Sequence, residues 1–248
     1  MRLLIDAGNT RIKWALVAAA DPPGTWASFG SVSTADHGQL EAAWAALSIT
    51  DVLASNVAGD ALRERILGAL EPLGVRGDAV RWFRALSHCA GVKNGYAQPE
   101  QLGSDRFASL IGARYRFPGE RLLIVTCGTA TTIDALEADG RFIGGMILPG
   151  LGTMANSLAV STALLPAVEA AKRDRVFADN TNDAIISGCL SAQVGAIVQA
   201  MAQRRDPAAR CVISGGAASY IVAHLPFPCA AVDNLVLLGL HASVVGAS

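Results

Sequence analysis

The sequence predicts an α/β protein made of two similar halves. Short apolar strands alternate with longer segments of helical period along the chain, which is the pattern of a mixed fold of sheets and helices. One strand-turn-strand motif near the N-terminus is repeated near the middle, and a Pro-Gly pair lies just before the second copy. The 248 residues are enough for two small domains, each with its own core.

The internal repeat consists of RLLIDAGNT at residues 2–10 and RLLIVTCGTAT at residues 121–131. When the glycines of the two copies are aligned, Asp6 lies over Thr126. An alternating segment follows each glycine, RIKWALV in the first copy and TTIDALE in the second, which predicts a returning strand. Each turn would present backbone N–H groups and hydroxyls, and converging N–H groups bind anions. We therefore expect the two turns to face each other and hold one polyphosphate.

The remaining segments predict further helices and strands. Apolar residues at helical spacing predict helices over His37–Leu47, Asp60–Leu73, Ser104–Tyr115, Thr153–Leu165, Asn182–Arg204 and Asp233–Val244. Strands are predicted in the segments DVLAS, FIGGMIL and CVIS. The segment RFPGER marks the domain boundary, because Pro118 and Gly119 break both periodicities. This gives an N-terminal domain of residues 1–117 and a C-terminal domain of residues 118–248.

Charge and composition exclude several classes of protein. Twenty basic and twenty-one acidic side chains give a net charge of -1 without a basic block, which argues against a nucleic-acid partner. The five cysteines are scattered and include no CxxC pair, so we expect a reduced cytosol and no structural zinc. Asp6 interrupts the first apolar run, which argues against a signal peptide, and LVLLGL is too short to span a bilayer. These features predict a cytoplasmic protein with a small-molecule partner and no membrane contact.

Asp6 and Lys13 are the charged residues of the first motif. Asp6 ends an apolar strand, where a carboxylate could hold a hydrated Mg²⁺ against the phosphates of a nucleotide. The alternative is an Asx-turn residue that only satisfies its own loop. Lys13 could reach a phosphate from the returning strand, or it could be a solvated strand residue.

The stretch GYAQPEQLGSDRFASL, residues 95–110, carries a second charged pair. Gly103 followed by Ser104 predicts a turn and a helix N-cap, so that Asp105 and Arg106 lie in the first helical turn. Asp105 complements the helix dipole, but Arg106 is unfavourable there, which indicates a partner such as a substrate carboxylate. Asp105 would then take the proton of an alcohol as a phosphoryl group arrives. The alternative is a surface Asp-Arg pair without a function.

Two glycine-rich segments interrupt predicted strands. FIGGMILPGLGTM and ISGGAA contain paired glycines, which often mark the close approach of another backbone or of a ligand; a bulge and a turn are the alternative. The second segment could let an adenine or a ribose lie flat on the backbone. Cys127 lies in the second phosphate turn, but no histidine points to a base, so a small buried thiol is the preferred interpretation. The histidines are not assigned to catalysis.

Four motifs together resemble those of the type III pantothenate kinases: DAGNT at residues 6–10, GYxxPxxLGxDR at 95–106, GTATT at 128–132 and GGxIxPG at 144–150. The chain length, NTNDAIISG and the terminal DNLVLLGL are also similar to that family. The resemblance implies the actin, sugar kinase and heat-shock ATPase superfamily, with two ribonuclease-H-like domains that hold ATP between them. It also implies transfer of the γ-phosphoryl group of ATP to the primary hydroxyl of pantothenate, the first step toward coenzyme A.

The resemblance also implies roles for individual residues. Asp105 resembles the catalytic base, and Asp6 would hold Mg²⁺ through water. The residues that resemble the ATP-binding set are Asp6, Gly8, Asn9, Thr10, Lys13, Gly128 and Thr129. The residues that resemble the pantothenate pocket are Tyr96, Gly103, Ser104, Asp105, Arg106 and Thr181. In this family Thr181 usually closes the pocket of the partner subunit, so the resemblance implies a homodimer.

The sequence departs from the family at Thr126. Family members commonly carry an aspartate there, which helps to hold an activating K⁺ or NH₄⁺ ion. A neutral hydroxyl can ligate a cation but contributes no charge, so the requirement for a monovalent cation is in doubt. Two alternatives to the pantothenate kinase remain open from sequence: a catalytically silent nucleotide-binding regulatory protein of the same fold, and a kinase for another small alcohol.

Overall fold

The computed structural model describes residues 1–36, 38–169 and 176–245 and divides the chain into two compact units. Unit 1 comprises Met1–Gly119, Gly140–Phe142 and Asn234–Ser248. Unit 2 comprises Glu120–Asp139 and Ile143–Asp233. The first boundary therefore follows Gly119, two residues beyond the position predicted from RFPGER.

Twelve strands and seven α-helices are found in the described residues. The strands are β1 (Arg2–Ala7), β2 (Arg11–Val17), β3 (Ser28–Ser33), β4 (Asp51–Asn56), β5 (Val80–Trp82), β6 (His88–Cys89), β7 (Val92–Lys93), β8 (Leu122–Cys127), β9 (Ala130–Leu136), β10 (Phe142–Pro149), β11 (Arg210–Ser214) and β12 (Cys229–Ala231). The helices are α1 (Gln39–Trp44), α2 (Asp60–Leu70), α3 (Ser104–Arg116), α4 (Leu151–Ser161), α5 (Thr181–Gln203), α6 (Ala218–Val222) and α7 (Leu235–Val245).

The two large sheets have the same topology. The sheet of unit 1 has the strand order β3-β2-β1-β4-β5, and the second sheet has the order β10-β9-β8-β11-β12. In both sheets the first two strands of the repeat pair antiparallel, as β1 with β2 and β8 with β9. In both, the first strand also pairs parallel with a later strand, as β1 with β4 and β8 with β11. The internal repeat and the two predicted hairpins are thus confirmed.

Strand β1 is apolar on both faces because both faces of its sheet are covered. Leu3 and Ile5 pack in a cluster with apolar residues of α1 and α2. Leu4 packs on the other side with Ala108 of α3 and Val236 of α7. An unbroken run of buried residues is typical of a strand with both faces covered. Residues 3–5 of β1 are therefore all apolar, and Asp6 is the first polar residue after them.

Helix α3 and helix α7 approach closely at two glycines. A Cβ atom at Gly239 would lie 1.7 Å from the carbonyl oxygen of Ala108, and one at Gly112 would lie 2.5 Å from that of Leu235. Both distances are too short for any side chain, so these glycines allow the helix backbones to touch. As a result α7, which the sequence assigns to the second half of the chain, packs in unit 1 against the helix that begins at Ser104.

All six predicted helices are found, with differences at their ends. The prediction that begins at His37 starts outside the described residues, and α1 spans only Gln39–Trp44. Helix α4 ends at Ser161, four residues before the predicted end, because Thr162 has an extended backbone. Helix α7 begins at Leu235 because Asn234 has a positive φ of 53°, which breaks the helical path.

Helix α5 is the one helix of the described residues that is long and apolar enough to cross a membrane. Its residues Ile185, Ile186, Leu190 and Ile197 are buried in the core of unit 2 with side chains of β8 and β11. A core helix of a folded domain passes the same test of length and composition, so the helix by itself is weak evidence for a membrane span.

Candidate functional site

The first phosphate turn joins β1 to β2 and is held by hydrogen bonds from the segment that follows β3. The N–H of Gly8 donates to the carbonyl oxygen of Arg11 at 3.1 Å, which closes the turn. Thr34 donates its hydroxyl to the carbonyl oxygen of Gly8 at 3.0 Å and its N–H to that of Thr10 at 3.0 Å. Asn9 and Thr10 lie exposed at the tip. The backbone of the turn is therefore fixed before any ligand binds.

Asp6 and Lys13 lie directly opposite each other on β1 and β2. Burial raises the pKa of the Asp6 carboxyl from 3.8 to about 7, the charge of Lys13 lowers it, and the charge of Asp105 raises it. The structure therefore brings these three predicted site residues close enough for their charges to interact. An Asx-turn that only satisfied its own loop would not need a carboxyl group in a position where burial opposes its charge.

Asp105 lies in the first turn of α3. The expectation that Ser104 is the N-cap is wrong, because Gly103 is the cap residue and Ser104 is the first residue of the helix. The Ser104 hydroxyl instead shares a hydrogen bond of 2.8 Å with the hydroxyl of Ser55 on β4. The Asp105 Oδ1 atom accepts the N–H of Arg106 at 2.8 Å and so satisfies one N–H at the helix start.

Two features hold the Asp105 carboxyl in place. Burial raises its pKa, while the N–H and the charge of Arg106 lower it. A Cβ atom at Gly103 would lie 2.7 Å from Asp105 Oδ1, so the absence of a side chain at Gly103 leaves room for the carboxylate. The net result is a carboxyl group with a raised pKa at a fixed position, which is the property of a candidate general base.

Arg106 is a buried cation beside two aromatic rings. Its side chain is only 6% exposed, and Nη1 donates to the hydroxyl of Tyr96 at 3.1 Å. The guanidinium carbon lies 5.8 Å from the ring centroid of Tyr96 and 5.9 Å from that of Phe142, and cation–π contacts of this kind favour a buried charge. Tyr96 and Phe142 are therefore partners of Arg106, and sequence reasoning did not predict these contacts.

Phe142 is a site residue that sequence reasoning missed. It is fully buried, its ring lies 5.4 Å from that of Tyr96, and the short segment Gly140–Phe142 belongs to unit 1. The segment is joined to β7 by the N–H of Lys93, which donates to the carbonyl oxygen of Gly140 at 2.9 Å. No local pattern could have indicated this, because Phe142 is 36 residues from Arg106 in a segment predicted only as a strand.

An open cavity of about 850 Å³ lies at the carboxyl ends of β4 and β5. Its lining includes Asn56, Arg63, Trp82, Gly103 and Ser104. The cavity is thus lined by two of the residues predicted for the substrate pocket, while Tyr96, Asp105 and Arg106 do not line it. The guanidinium of Arg63 lies 5.0 Å from the ring centroid of Trp82, which gives the wall a cationic and aromatic patch.

The second phosphate turn, in unit 2, is built by four close backbone contacts. The N–H of Gly128 donates to the carbonyl oxygen of Ala130 at 3.0 Å, and the N–H of Gly150 donates to that of Thr129 at 2.8 Å. A Cβ atom at Gly150 would lie 2.0 Å from the oxygen of Gly128, and one at Gly215 would lie 2.4 Å from that of Cys127. The glycine-rich segments therefore mark the close approach of other backbone, one of the two meanings that the sequence allowed.

Thr126 lies in a row of hydroxyl-bearing residues. It pairs with Thr132 of β9 on one side and with Ser214 of β11 on the other. The hydroxyls of Thr131 and Thr132 are buried and have no hydrogen-bond partner within the described residues. Among those residues, no group of three or more His, Cys, Asp or Glu side chains could hold a metal ion. The side chain of Thr126 itself could offer a cation only a neutral oxygen.

Thr181 and Cys127 complete the predicted residues of unit 2. Thr181 is exposed as the first residue of α5, and the side chain of Asn180 caps that helix by accepting the N–H of Asp183 at 3.0 Å. Cys127 is fully buried, and burial, followed by the charge of Cys229, raises the pKa of its thiol to about 12. A thiol that stays protonated is not a nucleophile, which agrees with the interpretation of Cys127 as a core residue.

Comparison with known proteins identifies the family. Residues 2–204 match the family model of Type III pantothenate kinase. A relative from Janthinobacterium sp. named "Type III pantothenate kinase" is 52% identical over 97% of this chain and 96% of its own, and one from Herminiimonas arsenicoxydans with the same name is 51% identical over the same shares.

A solved structure from Sinorhizobium meliloti, described as a 2-dehydro-3-deoxygalactonokinase protein, is similar in fold. It has a TM-score of 0.59 at 15% identity and covers 99% of this chain and 98% of its own. At this identity the likeness shows a shared fold, and that fold is the two-part α/β fold that the sequence predicted. From these findings the chain belongs to the type III pantothenate kinase family.

Proposed function

We propose that this kinase transfers the γ-phosphoryl group of ATP to the primary hydroxyl of pantothenate with Asp105 as the general base. The proposal depends on one observation: in a chain of this family, Asp105 has a raised pKa and lies within reach of the charge of Asp6, at the end of the strand that leads into the first phosphate turn. Phosphoryl transfer needs a carboxylate that accepts the proton of the attacking alcohol. A group that neutralises charge on the phosphates must lie next to it.

The proton transfer uses the two oxygens of Asp105 differently. Oδ1 accepts the N–H of Arg106, so Oδ2 is the oxygen that accepts the proton of the pantothenate hydroxyl. The alcohol oxygen then forms a bond to the γ-phosphorus, the bond to the β,γ-bridging oxygen breaks, and ADP leaves with that electron pair. Because burial raises the pKa of Asp105, its carboxylate is a stronger base than one in water.

Asp6 is the residue proposed to hold Mg²⁺ through water, and Lys13 to pair with phosphate. Mg²⁺ in nucleotide sites is bound by one or two carboxylates together with phosphate oxygens and water, and a single partly buried carboxyl fits that donor set. When bound, Mg²⁺ neutralises charge on the phosphates. Bound Mg²⁺ would also favour the ionised form of Asp6, although burial raises the pKa of this carboxyl to about 7.

The acceptor pocket is proposed to use two neighbouring regions of unit 1. Gly103 and Ser104 line the 850 Å³ cavity at the start of α3 and would contact the pantothenate chain there. Tyr96 and Arg106 form the polar end, because the guanidinium and the phenol are both hydrogen-bond donors to a carboxylate. The buried charge of Arg106, held beside the ring of Phe142, favours an anionic acceptor over a neutral alcohol.

The second turn is proposed to bind phosphate through its backbone N–H groups and the hydroxyl of Thr129. The first turn is proposed to bind phosphate through Gly8, Asn9 and Thr10. Gly128 is exposed, so its backbone is open to a ligand. A monovalent cation near Thr126 would be held by neutral hydroxyls, so we propose that K⁺ or NH₄⁺ increases activity only weakly.

A cytoplasmic homodimer is also part of the proposal. Large apolar side chains are exposed on two elements of unit 2 and on the segment before α5, which is unusual for a surface that meets only water. They are Ile143, Met146, Ile147, Val160, Leu164 and Phe177. A second copy of the chain would cover them and bring Thr181, which is exposed nearby in sequence, to the partner's acceptor pocket.

The test of the function is ADP release that depends on pantothenate, measured with Asp105→Asn and with Asp78→Asn as control. Asp78 is an exposed carboxylate in the same unit, so its loss should leave the rate unchanged. Loss of a positioned general base lowers kcat by about 10²–10⁴-fold. Unchanged ADP release by Asp105→Asn would contradict the assigned base. ATP turnover that pantothenate does not raise would favour the silent regulator, and turnover raised only by another alcohol would change the substrate.

A further inference from the structure

Two cysteines outside the proposed kinase site lie side by side in unit 2. Cys211 of β11 and Cys229 of β12 are direct partners in a parallel pair of strands. Cys211 is fully buried, whereas Cys229 is partly exposed and packs against the edge of the same apolar core. The two thiols are close enough to shift each other's pKa. Both belong to one sheet, so their proximity depends only on the strand register.

We propose that Cys229 and Cys211 form a modification site that hydrogen peroxide or a related hydroperoxide converts reversibly to a disulfide. Cys229 is the thiol that reacts first, since it is the exposed member of the pair. Cys211 is the resolving thiol, since it is hidden from solvent but lies next to Cys229. The site is independent of the proposed kinase chemistry, to which neither cysteine contributes.

The two thiols shift each other's pKa in opposite directions. The interaction with Cys229, followed by burial, raises the pKa of the Cys211 thiol, and the interaction with Cys211 lowers the pKa of Cys229 although burial opposes this. Cys211 therefore keeps its proton more firmly than Cys229. A thiolate is the form that attacks peroxides, so the more exposed sulfur is also the more reactive one.

The proposed reaction has two balanced steps. The Cys229 thiolate attacks one oxygen of the peroxide, the O–O bond breaks, and hydroxide leaves, so that Cys229 is oxidised to a sulfenic acid and the peroxide is reduced. The Cys211 sulfur then attacks the Cys229 sulfur, the S–O bond breaks, and the Cys211 proton leaves with the hydroxyl as water. The products are one disulfide, one water and one hydroxide.

The spacing of the two strands permits this disulfide at the cost of some strain. Neighbouring strands lie about 4.8 Å apart, within the range of Cα distances of disulfides, while the Cβ atoms must approach to about 3.8 Å. Strand β12 has only three residues and lies at the edge of its sheet, so it can move toward β11. A disulfide formed under such strain is reduced readily, which makes the modification reversible.

The alternative is that both residues are inert packing side chains, as many buried cysteines are. The experiment treats the folded, full-length protein with hydrogen peroxide, blocks the remaining thiols with an alkylating agent and maps the peptides by mass spectrometry. The proposal predicts the loss of two of the five free thiols and a cross-linked peptide that contains Cys211 and Cys229. Dithiothreitol should restore both thiols without change in the circular dichroism spectrum.

Three variants make the test decisive. Cys229→Ser should keep both the disulfide and a sulfenic acid from forming at this pair, while Cys211→Ser should stop at a sulfenic acid on Cys229 that dimedone traps. Cys89→Ser is the matched control, since Cys89 is also partly exposed but faces Val92 in its strand pair. If Cys211→Ser fails to fold, the wild-type map and Cys229→Ser still decide. Retention of all free thiols, or a disulfide through any other cysteine, would overturn the proposal.

Discussion

Replacing Asp6 with asparagine should make the protein more stable while removing its activity. The Asp6 carboxyl lies opposite Lys13 at the carboxyl end of β1, and burial raises its pKa from 3.8 to about 7, with the charge of Asp105 adding to the rise. An ionised carboxylate is therefore held in the folded protein at a cost in free energy. Asparagine has nearly the same shape and carries no charge, so it removes the cost.

The size and sign of the effect follow from the pKa. A rise from 3.8 to about 7, at about 1.4 kcal/mol for each pH unit, corresponds to about 4 kcal/mol as an upper limit, because the partly exposed carboxyl keeps some water. Since the folded pKa is raised, the stability that Asp6 contributes is present below pH 3.8 and is lost as the pH rises through about 7. The advantage of Asp6→Asn should therefore be near zero at about pH 4 and largest above about pH 7.

The assay is urea unfolding of unit 1, followed by tryptophan fluorescence at several pH values, with Asp78→Asn as the control for loss of an exposed carboxylate. Asp6→Asn should also lose the stabilisation that Mg²⁺ and ATP give to the wild type. Unfolding curves of Asp6→Asn and wild type that keep the same separation from pH 4 to pH 8 would refute the reasoning about burial. Stabilisation by Mg²⁺ and ATP that survives in Asp6→Asn would refute the proposed role of the carboxylate.

Three further changes test other parts of the structure. Gly239→Ala places a methyl group 1.7 Å from a backbone oxygen and should lower the unfolding free energy by about 1–3 kcal/mol, whereas Gly68→Ala, in open space on α2 of the same unit, should raise it by about 0.5–1 kcal/mol in the same urea assay. Phe142→Leu should raise KM for pantothenate up to about tenfold, through lost cation–π contact with Arg106, and leave KM for ATP unchanged. Thr126→Asp should make the kinase rate more dependent on K⁺; equal rates with and without K⁺ would contradict this.

Sequence reasoning predicted the features that depend on local patterns. The two hairpins were predicted because a strand, a glycine and an alternating segment follow one another in each copy of the repeat. The six helices were predicted from apolar spacing, and two of their ends differ because the backbone leaves the helical region at Thr162 and Asn234. Asp6 was predicted as a site residue because a carboxylate at the end of an apolar strand can hold a hydrated Mg²⁺. Asp105 was predicted because a carboxylate in the first turn of a helix can accept a proton from an alcohol.

Contacts between distant segments were not predictable from one sequence. Ser104 was expected to cap its own helix, but its hydroxyl is engaged by Ser55, which is 49 residues away. Phe142 was assigned only to a strand, although its ring lies beside Tyr96 and Arg106. A local pattern contains no information about which distant residue will complete a hydrogen bond or a ring contact. The position of α3, which carries the proposed base Asp105, is likewise determined by the elements that pack on it.

The position of α3 connects the C-terminal end of the chain to the proposed chemistry. Asp105 lies in the first turn of this helix, and one helical turn further on Ala108 contacts the backbone of α7 at Gly239. The match to the family model ends at residue 204, before α7 begins, but the relatives align over 97% of the chain. Because the contact is between two backbones, a larger side chain at Gly239 must push α3 and α7 apart. Packing of α7 therefore helps to determine the position of the carboxylate of Asp105, the proposed base.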